Sequence, residues 1–210
     1  YTPEDVRREV IHLEEKTLYG YAWNKVYRVQ SLRESGVVFE KITLIEDIKF
    51  NVSYFDSVCS MNVLNTTPYH YLKRIDGSLT NKFLPDYFTL NAERVFLVLE
   101  QYKTWGMCTE EVRRILANIY VRYLFSALQR NCDKRSDMNH AQRKEWLKQQ
   151  YKTPLCKELL SAVQASGTLF KCMAKAFCAG NIPLCLMIAR SIFAVKSAFP
   201  TVFSTLKQQH

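Results

Sequence analysis

The sequence predicts a mainly α protein, in which a small α+β segment with two short strands is followed by an all-helical C-terminal region. Two observations carry that reading. Beyond residue 85, each segment between turn signals repeats its apolar residues at helical spacing. Before it, residues 61–65 and 69–73 flank a Thr-Thr-Pro turn and read as two short strands. The chain therefore divides near residue 85 into a mixed part, 1–85, and a helical part, 86–210. Its 210 residues, 48% of them hydrophobic, are enough to bury a core in each part.

The elements follow in order. Thr2, Pro3, Glu4 and Asp5 open the first helix with a hydroxyl cap, a proline in the first turn and acids against the N-terminal dipole. Val6, Val10 and Leu13 give it an apolar face, and its end is expected near Gly20. A short helix from about Ser31 is closed by Gly36. The stretch LIEDIKFNVSYF, residues 44–55, starts a third helix at Glu46 and Asp47, with Ile48, Val52 and Phe55, or Phe50 and Tyr54, at helical spacing. Residues 74–81, with Asp76-Gly77-Ser78, read as a loop. Helices are then expected over 87–104, 109–131, 139–151, 154–164, 168–179, 182–198 and 200–208. Thr109 caps one of them, and Pro154, Pro183 and Pro200 stand where first turns accept proline. No internal repeat and no low-complexity tract is present.

Twenty-nine Lys and Arg against 20 Asp and Glu give a net charge of +9, which draws the protein toward phosphates, lipid head groups or other anionic surfaces. Nucleic acid is not an expected partner, because no basic run interleaves with aromatics and no zinc-finger spacing occurs. From Leu159 onward there is no acidic residue, while Lys171, Lys175, Arg190, Lys196 and Lys207 remain. Such a tail could lie on an anionic membrane surface, and general grounds favour the solvated basic face of a helical bundle over that reading. The charge-free stretch 176–189 contains Gly180, Asn181 and Pro183 and is shorter than the about 20 apolar residues that a bilayer span needs.

The seven cysteines show no CxxC pair and no Cys/His signature, so they read as reduced, mostly buried thiols of a cytosolic protein, with no metal site among them. No signal-peptide pattern follows Tyr1. The expected location is cytoplasmic, or peripheral at the inner face of a membrane.

The pair Glu46-Asp47 has two readings. Acids at a helix start accept backbone N–H bonds and complement the dipole, an effect of about 0.5 to 2 kcal/mol. The same position holds a carboxylate rigidly at the edge of a cleft, as a general base requires, and a neighbouring negative charge would raise its pKa toward the working range.

The order of residues around the pair adds a further observation. Trp23, Lys25, Val26, Tyr27 and Arg28 are followed by Phe39, then Glu46, Asp47 and Phe50, then Pro68, Tyr69, Tyr71 and Arg74, then Ser78, Leu79 and Thr80. Residues 18–83 thereby resemble the second half of the catalytic domain in family 2 glycosyltransferases with the A-type fold. That family carries Trp-x-Lys-[Leu/Val]-Tyr-[Arg/Lys], then Glu-Asp-x-x-Phe, then Pro-x-Tyr-x-Tyr-x-x-Arg and Ser-[Leu/Ile]-Thr.

The resemblance implies an inverting transferase, bacterial in character, that moves a sugar from a nucleotide-sugar donor to a polysaccharide or glycolipid acceptor. It places the catalytic base at Asp47, with Glu46 shaping its pKa or binding the acceptor. Arg74 and His70 would neutralise the leaving diphosphate. Trp23 would offer a ring face to a sugar, Lys25 would bind a hydroxyl or phosphate, and Tyr71 and Ser78 would complete the substrate-binding set.

One departure is large. Family members hold Mg²⁺ or Mn²⁺ on an Asp-x-Asp motif in an upstream nucleotide-binding half, and this chain has no Asp-x-Asp. The resemblance is therefore to the C-terminal portion of such an enzyme, and these 210 residues alone are not expected to transfer sugar. A non-catalytic helical binding or scaffold module and a peripheral membrane anchor are the alternatives.

Overall fold

The computed structural model describes residues 2–42, 44–66, 69–70 and 83–198. Among them the chain is helical: α1 (Pro3–Glu15), α2 (Val29–Ser35), α3 (Glu46–Phe55), α4 (Tyr87–Thr104), α5 (Glu110–Arg130), α6 (His140–Lys152), α7 (Pro154–Leu159), α8 (Thr168–Cys178) and α9 (Ile182–Ala198). The mainly α reading holds.

The first of the two expected strands is not formed. Residues 61–65 are irregular, and no strand occurs among the described residues. A strand needs both a partner ladder and a face to bury. Val63 and Leu64 instead stand 62% and 71% exposed. Of the second expected strand, Tyr69 and His70 are irregular, and residues 71–73 lie outside the described residues, as do the loop 74–81 and the helix expected over 200–208.

The chain forms two compact units. One comprises Tyr1–Lys82 and Thr89–Leu116, the other Phe83–Phe88 and Ala117–His210. The helical stretch after residue 85 thus contributes to both.

In the first unit, α1 starts as its sequence demands. The Thr2 hydroxyl accepts the Asp5 N–H at 3.3 Å and the Asp5 carboxylate accepts the Thr2 N–H at 2.9 Å. The helix ends five residues before Gly20. Thr17 adopts a left-handed φ of 59°, and the Leu18 N–H turns back to the Leu13 carbonyl at 2.7 Å. That is the geometry a glycine usually supplies after a helix, so the sequence carried no sign of it. Val6, Val10, Tyr19, Ile48, Phe55, Val95, Val98, Leu99 and Tyr102 form the buried core.

A polar chain runs through this core. The Tyr27 hydroxyl donates to Asn51 Oδ1 (2.7 Å), and Asn51 Nδ2 donates to the Tyr19 carbonyl (3.0 Å). The Tyr19 hydroxyl donates to Gln101 Oε1 (2.8 Å), and Gln101 Nε2 donates to the Val52 carbonyl (2.7 Å). Asn51 is fully buried, and these bonds satisfy both ends of its amide.

In the second unit, the later turns of α5 carry Tyr120, Leu124, Phe125 and Leu128, all buried. The Asn118 amide closes a reciprocal pair with the Gln164 backbone at 2.9 and 3.1 Å. Asn139 caps α6 in a capping box with Gln142, and the Thr153 hydroxyl caps α7. Helices α8 and α9 pack against each other across the turn at Gly180, where φ is 64°. No described helix is long and apolar enough to cross a membrane.

All seven cysteines are free thiols, yet only Cys156 and Cys185 are buried, and Cys59, Cys172 and Cys178 are exposed. This corrects the expectation of mostly buried thiols. Helix α8 leaves Cys172 and Cys178 exposed, while Cys185 on α9 is buried.

Candidate active site

The candidate site is built where the segment after α1 meets the start of α3. Lys25 organises that segment. Its ammonium donates to the carbonyls of Leu18 (2.8 Å), Tyr19 (2.8 Å) and Tyr21 (2.6 Å), with Asn24 Oδ1 also at 2.9 Å. An ammonium has three protons, so the carbonyls alone engage all of them. Lys25 therefore holds its own loop in shape. Burial pushes its pKa down to about 8, against the upward pull of Glu14 and Asp47.

Two side chains one turn apart on α3 then dock this loop. Asp47 Oδ2 accepts the Ala22 N–H at 3.3 Å, and Asn51 holds the Tyr19 carbonyl. The capping reading of Glu46 and Asp47 is corrected here. Ile45 is the N-cap and contributes no side-chain bond, so the two acids occupy the first turn, where they complement the dipole without capping. Leu44, just before them, holds a left-handed φ of 82°, a conformation that costs on the order of 1–3 kcal/mol and concentrates at functional sites.

The two carboxylates differ in surroundings. Asp47 keeps one oxygen on Ala22 and makes no other hydrogen bond among the described residues. Glu46 buries its Oε2 with no hydrogen-bond partner among the described residues. An unpartnered carboxylate oxygen is costly to bury, and such atoms call for a role or a missing partner.

Beside them lies a row of exposed rings. Trp23 is 5.1 Å from Tyr21 at a 32° tilt and 5.1 Å from Tyr69 in a stacked arrangement. All three are open to solvent, at 40%, 36% and 53%. His70, next to Tyr69, is exposed as well. The structure thus brings together Trp23 and Tyr69, and separately Lys25, Asp47 and the loop. Tyr71, Arg74 and Ser78 lie outside the described residues, and so does Pro68.

No protein-family model, no curated protein and no solved structure matches this chain.

Among the described residues, no group of three or more His, Cys, Asp or Glu is placed to hold a metal ion. The divalent cation that the resemblance implies has no cage in these side chains.

Sequence reasoning missed the support beneath the loop. Glu14 is 1% exposed and binds the Arg94 guanidinium through both oxygens at 2.7 Å. Gly20 lies against that guanidinium: a Cβ there would stand 2.6 Å from Arg94 Nη2. One signal was available, because Glu14 continues the row of Val6 and Val10 at four-residue spacing and so falls on the buried face. A carboxylate on that face demands a cation.

Proposed function

We propose that these residues form the acceptor side and the C-terminal helical portion of an inverting glycosyltransferase acting on a polysaccharide or glycolipid. The observation that carries the proposal is the placement of Asp47. It stands at the start of α3 and holds through one oxygen the N–H of Ala22, whose neighbours Tyr21 and Trp23 form a ring row with Tyr69.

In this reading Asp47 takes the proton of an acceptor hydroxyl. The oxygen then attacks the anomeric carbon of the donor, the bond from that carbon to the diphosphate breaks, and the configuration inverts. The ring row supplies apolar faces for sugar rings, and Glu46 stands beside Asp47 on the acceptor side. Lys25 serves as a positioning residue, since its donors are engaged in the loop. Arg74 and His70 stabilise the leaving diphosphate, with Tyr71 and Ser78 in the same substrate-binding set. The nucleotide and its Mg²⁺ or Mn²⁺ belong to a half that these residues do not contain. The location that fits is the cytoplasmic side of the cell, where nucleotide sugars are the donors.

The test joins these residues to the upstream nucleotide-binding half and measures transfer. Trp23→Ala should raise the KM for acceptor at least several-fold with the KM for donor unchanged. An acceptor KM that does not move would remove the ring row from the site. The 210 residues alone should show no transfer; measurable turnover by them would overturn the division of labour between the halves.

A further inference from the structure

The charge of the chain is not spread over both units. Residues 83–88 and 117–210 hold fourteen Lys and Arg against five Asp and Glu, while the remaining residues hold fifteen of each. The first unit is electrically neutral and the whole excess of +9 sits in the second. Within it the acids stop at Glu158, so the α8–α9 pair carries cations and no acid.

The open side of this pair mixes cations with aliphatic side chains. On α8, Lys171 and Lys175, one turn apart, are exposed on the side opposite the buried Met173, Ala174 and Phe177. On α9, Met187, Arg190 and Val195 fall on one side at helical spacing, with Met187 59% and Val195 53% exposed. Lys171, Lys175 and Arg190 make no ion pair with any described residue. Helical faces that only meet water carry acids among their bases and few large aliphatics. Here the acids are missing and aliphatic side chains stand between the cations.

We infer that the exposed face of the α8–α9 pair docks on an anionic lipid bilayer, with Lys171, Lys175 and Arg190 at the head groups and Met187 and Val195 entering the acyl boundary. Charge complementarity favours any polyanion, and the aliphatic residues decide between them. Met and Val have neither donors for base edges nor rings for stacking, so they add nothing against nucleic acid. Against lipid they add buried apolar area to the electrostatic attraction. With no described helix able to cross a membrane, attachment is peripheral and salt-sensitive. The inference is independent of the glycosyltransferase reading, because it needs neither a donor nor Asp47.

The test uses the 210-residue chain in co-sedimentation with vesicles of phosphatidylcholine alone and of phosphatidylcholine with about one-third phosphatidylglycerol. Binding should be confined to the anionic vesicles and be lost on raising salt from about 0.1 M to 1 M. Lys171→Gln, Lys175→Gln and Arg190→Gln together should weaken it about 100-fold, at roughly fivefold per cation. Met187→Ser with Val195→Ser should weaken it at least several-fold while leaving the salt dependence unchanged; both sites are exposed, and circular dichroism checks that the variants fold. Absence of binding, equal binding to neutral vesicles, or wild-type binding by the Met187/Val195 variant would each overturn the inference. None of these outcomes bears on sugar transfer.

Discussion

Glu14 and Arg94, 80 residues apart in the chain, form a two-pronged ion pair in which Nε reaches one carboxylate oxygen and Nη2 the other, both at 2.7 Å. The pair ties α1 to α4 within the first unit, and its guanidinium is the surface on which Gly20 rests. The loop that carries Lys25 and Trp23 leaves this point and returns to Asp47. The geometry of the candidate site thus depends on an ion pair that touches none of its proposed substrates.

Removing either component of this support should be costly. Gly20→Ala places a methyl group against a guanidinium that cannot swing away, because both its prongs are held; the expected loss is about 1–3 kcal/mol. Glu14→Gln leaves a nearly buried cation without its counter-charge, with an expected loss of about 3–5 kcal/mol. Urea unfolding of the purified chain checks both. A Gly20→Ala protein as stable as wild type would mean that Arg94 can leave Gly20 freely.

Lys25 provides a pH dependence with a definite sign. Its folded pKa, near 8, lies below its unfolded value of about 10.4. Below pH 8 the amine is charged in both states and the burial penalty is present in full. Between pH 8 and about 10.4 the unfolded chain binds more protons, so this contribution to stability rises with pH. Buried thiols and tyrosines titrate nearby with the opposite sign, so the readout is the stability of wild type minus that of Lys25→Met. The difference should shift toward wild type between pH 7.5 and about 10.4. A constant difference would show that the ammonium is not desolvated.

The cysteines separate by reactivity. Burial pushes the thiols of Cys156 and Cys185 up to about 11, and both are closed to solvent. The thiolate is the reactive form, so iodoacetamide at pH 7.5 should label Cys59 and Cys172 first and leave Cys156 and Cys185 unmodified until the protein unfolds. Labelling of Cys185 at the rate of Cys172 would mean that α9 is not packed as described.

Much of the helical architecture was legible because it is local. The Thr2 capping box, Gly36, Thr109 and Asn139 act within one or two turns, and the helices α4 to α9 begin within a residue or two of their sequence signals. What failed was not local. The strand expected over 61–65 had suitable residues and forms no ladder among the described residues. The early end of α1 rests on Thr17 taking a glycine-like φ, which no pattern announces. Glu46-Asp47 looked like a cap because acids at a helix start usually are, and only the chain fold could bring the Ala22 N–H to Asp47 instead. At the candidate site, Asp47 and Trp23 were singled out by their order in the chain. Glu14, Gly20 and Asn51 were not, because their roles are set by contacts with distant residues.

The most direct test of the central claim is Asp47→Asn in the enzyme that, in the proposed reading, joins these residues to a nucleotide-binding half. Asparagine keeps an oxygen for the Ala22 N–H, so stability should fall by no more than about 1 kcal/mol, the share of the charge in the helix dipole. As the proton acceptor is lost, kcat should fall about 10²–10⁴-fold while the acceptor and donor KM values stay near wild type. Wild-type kcat in a folded Asp47→Asn enzyme would contradict the assignment and leave Asp47 as a residue that only docks a loop.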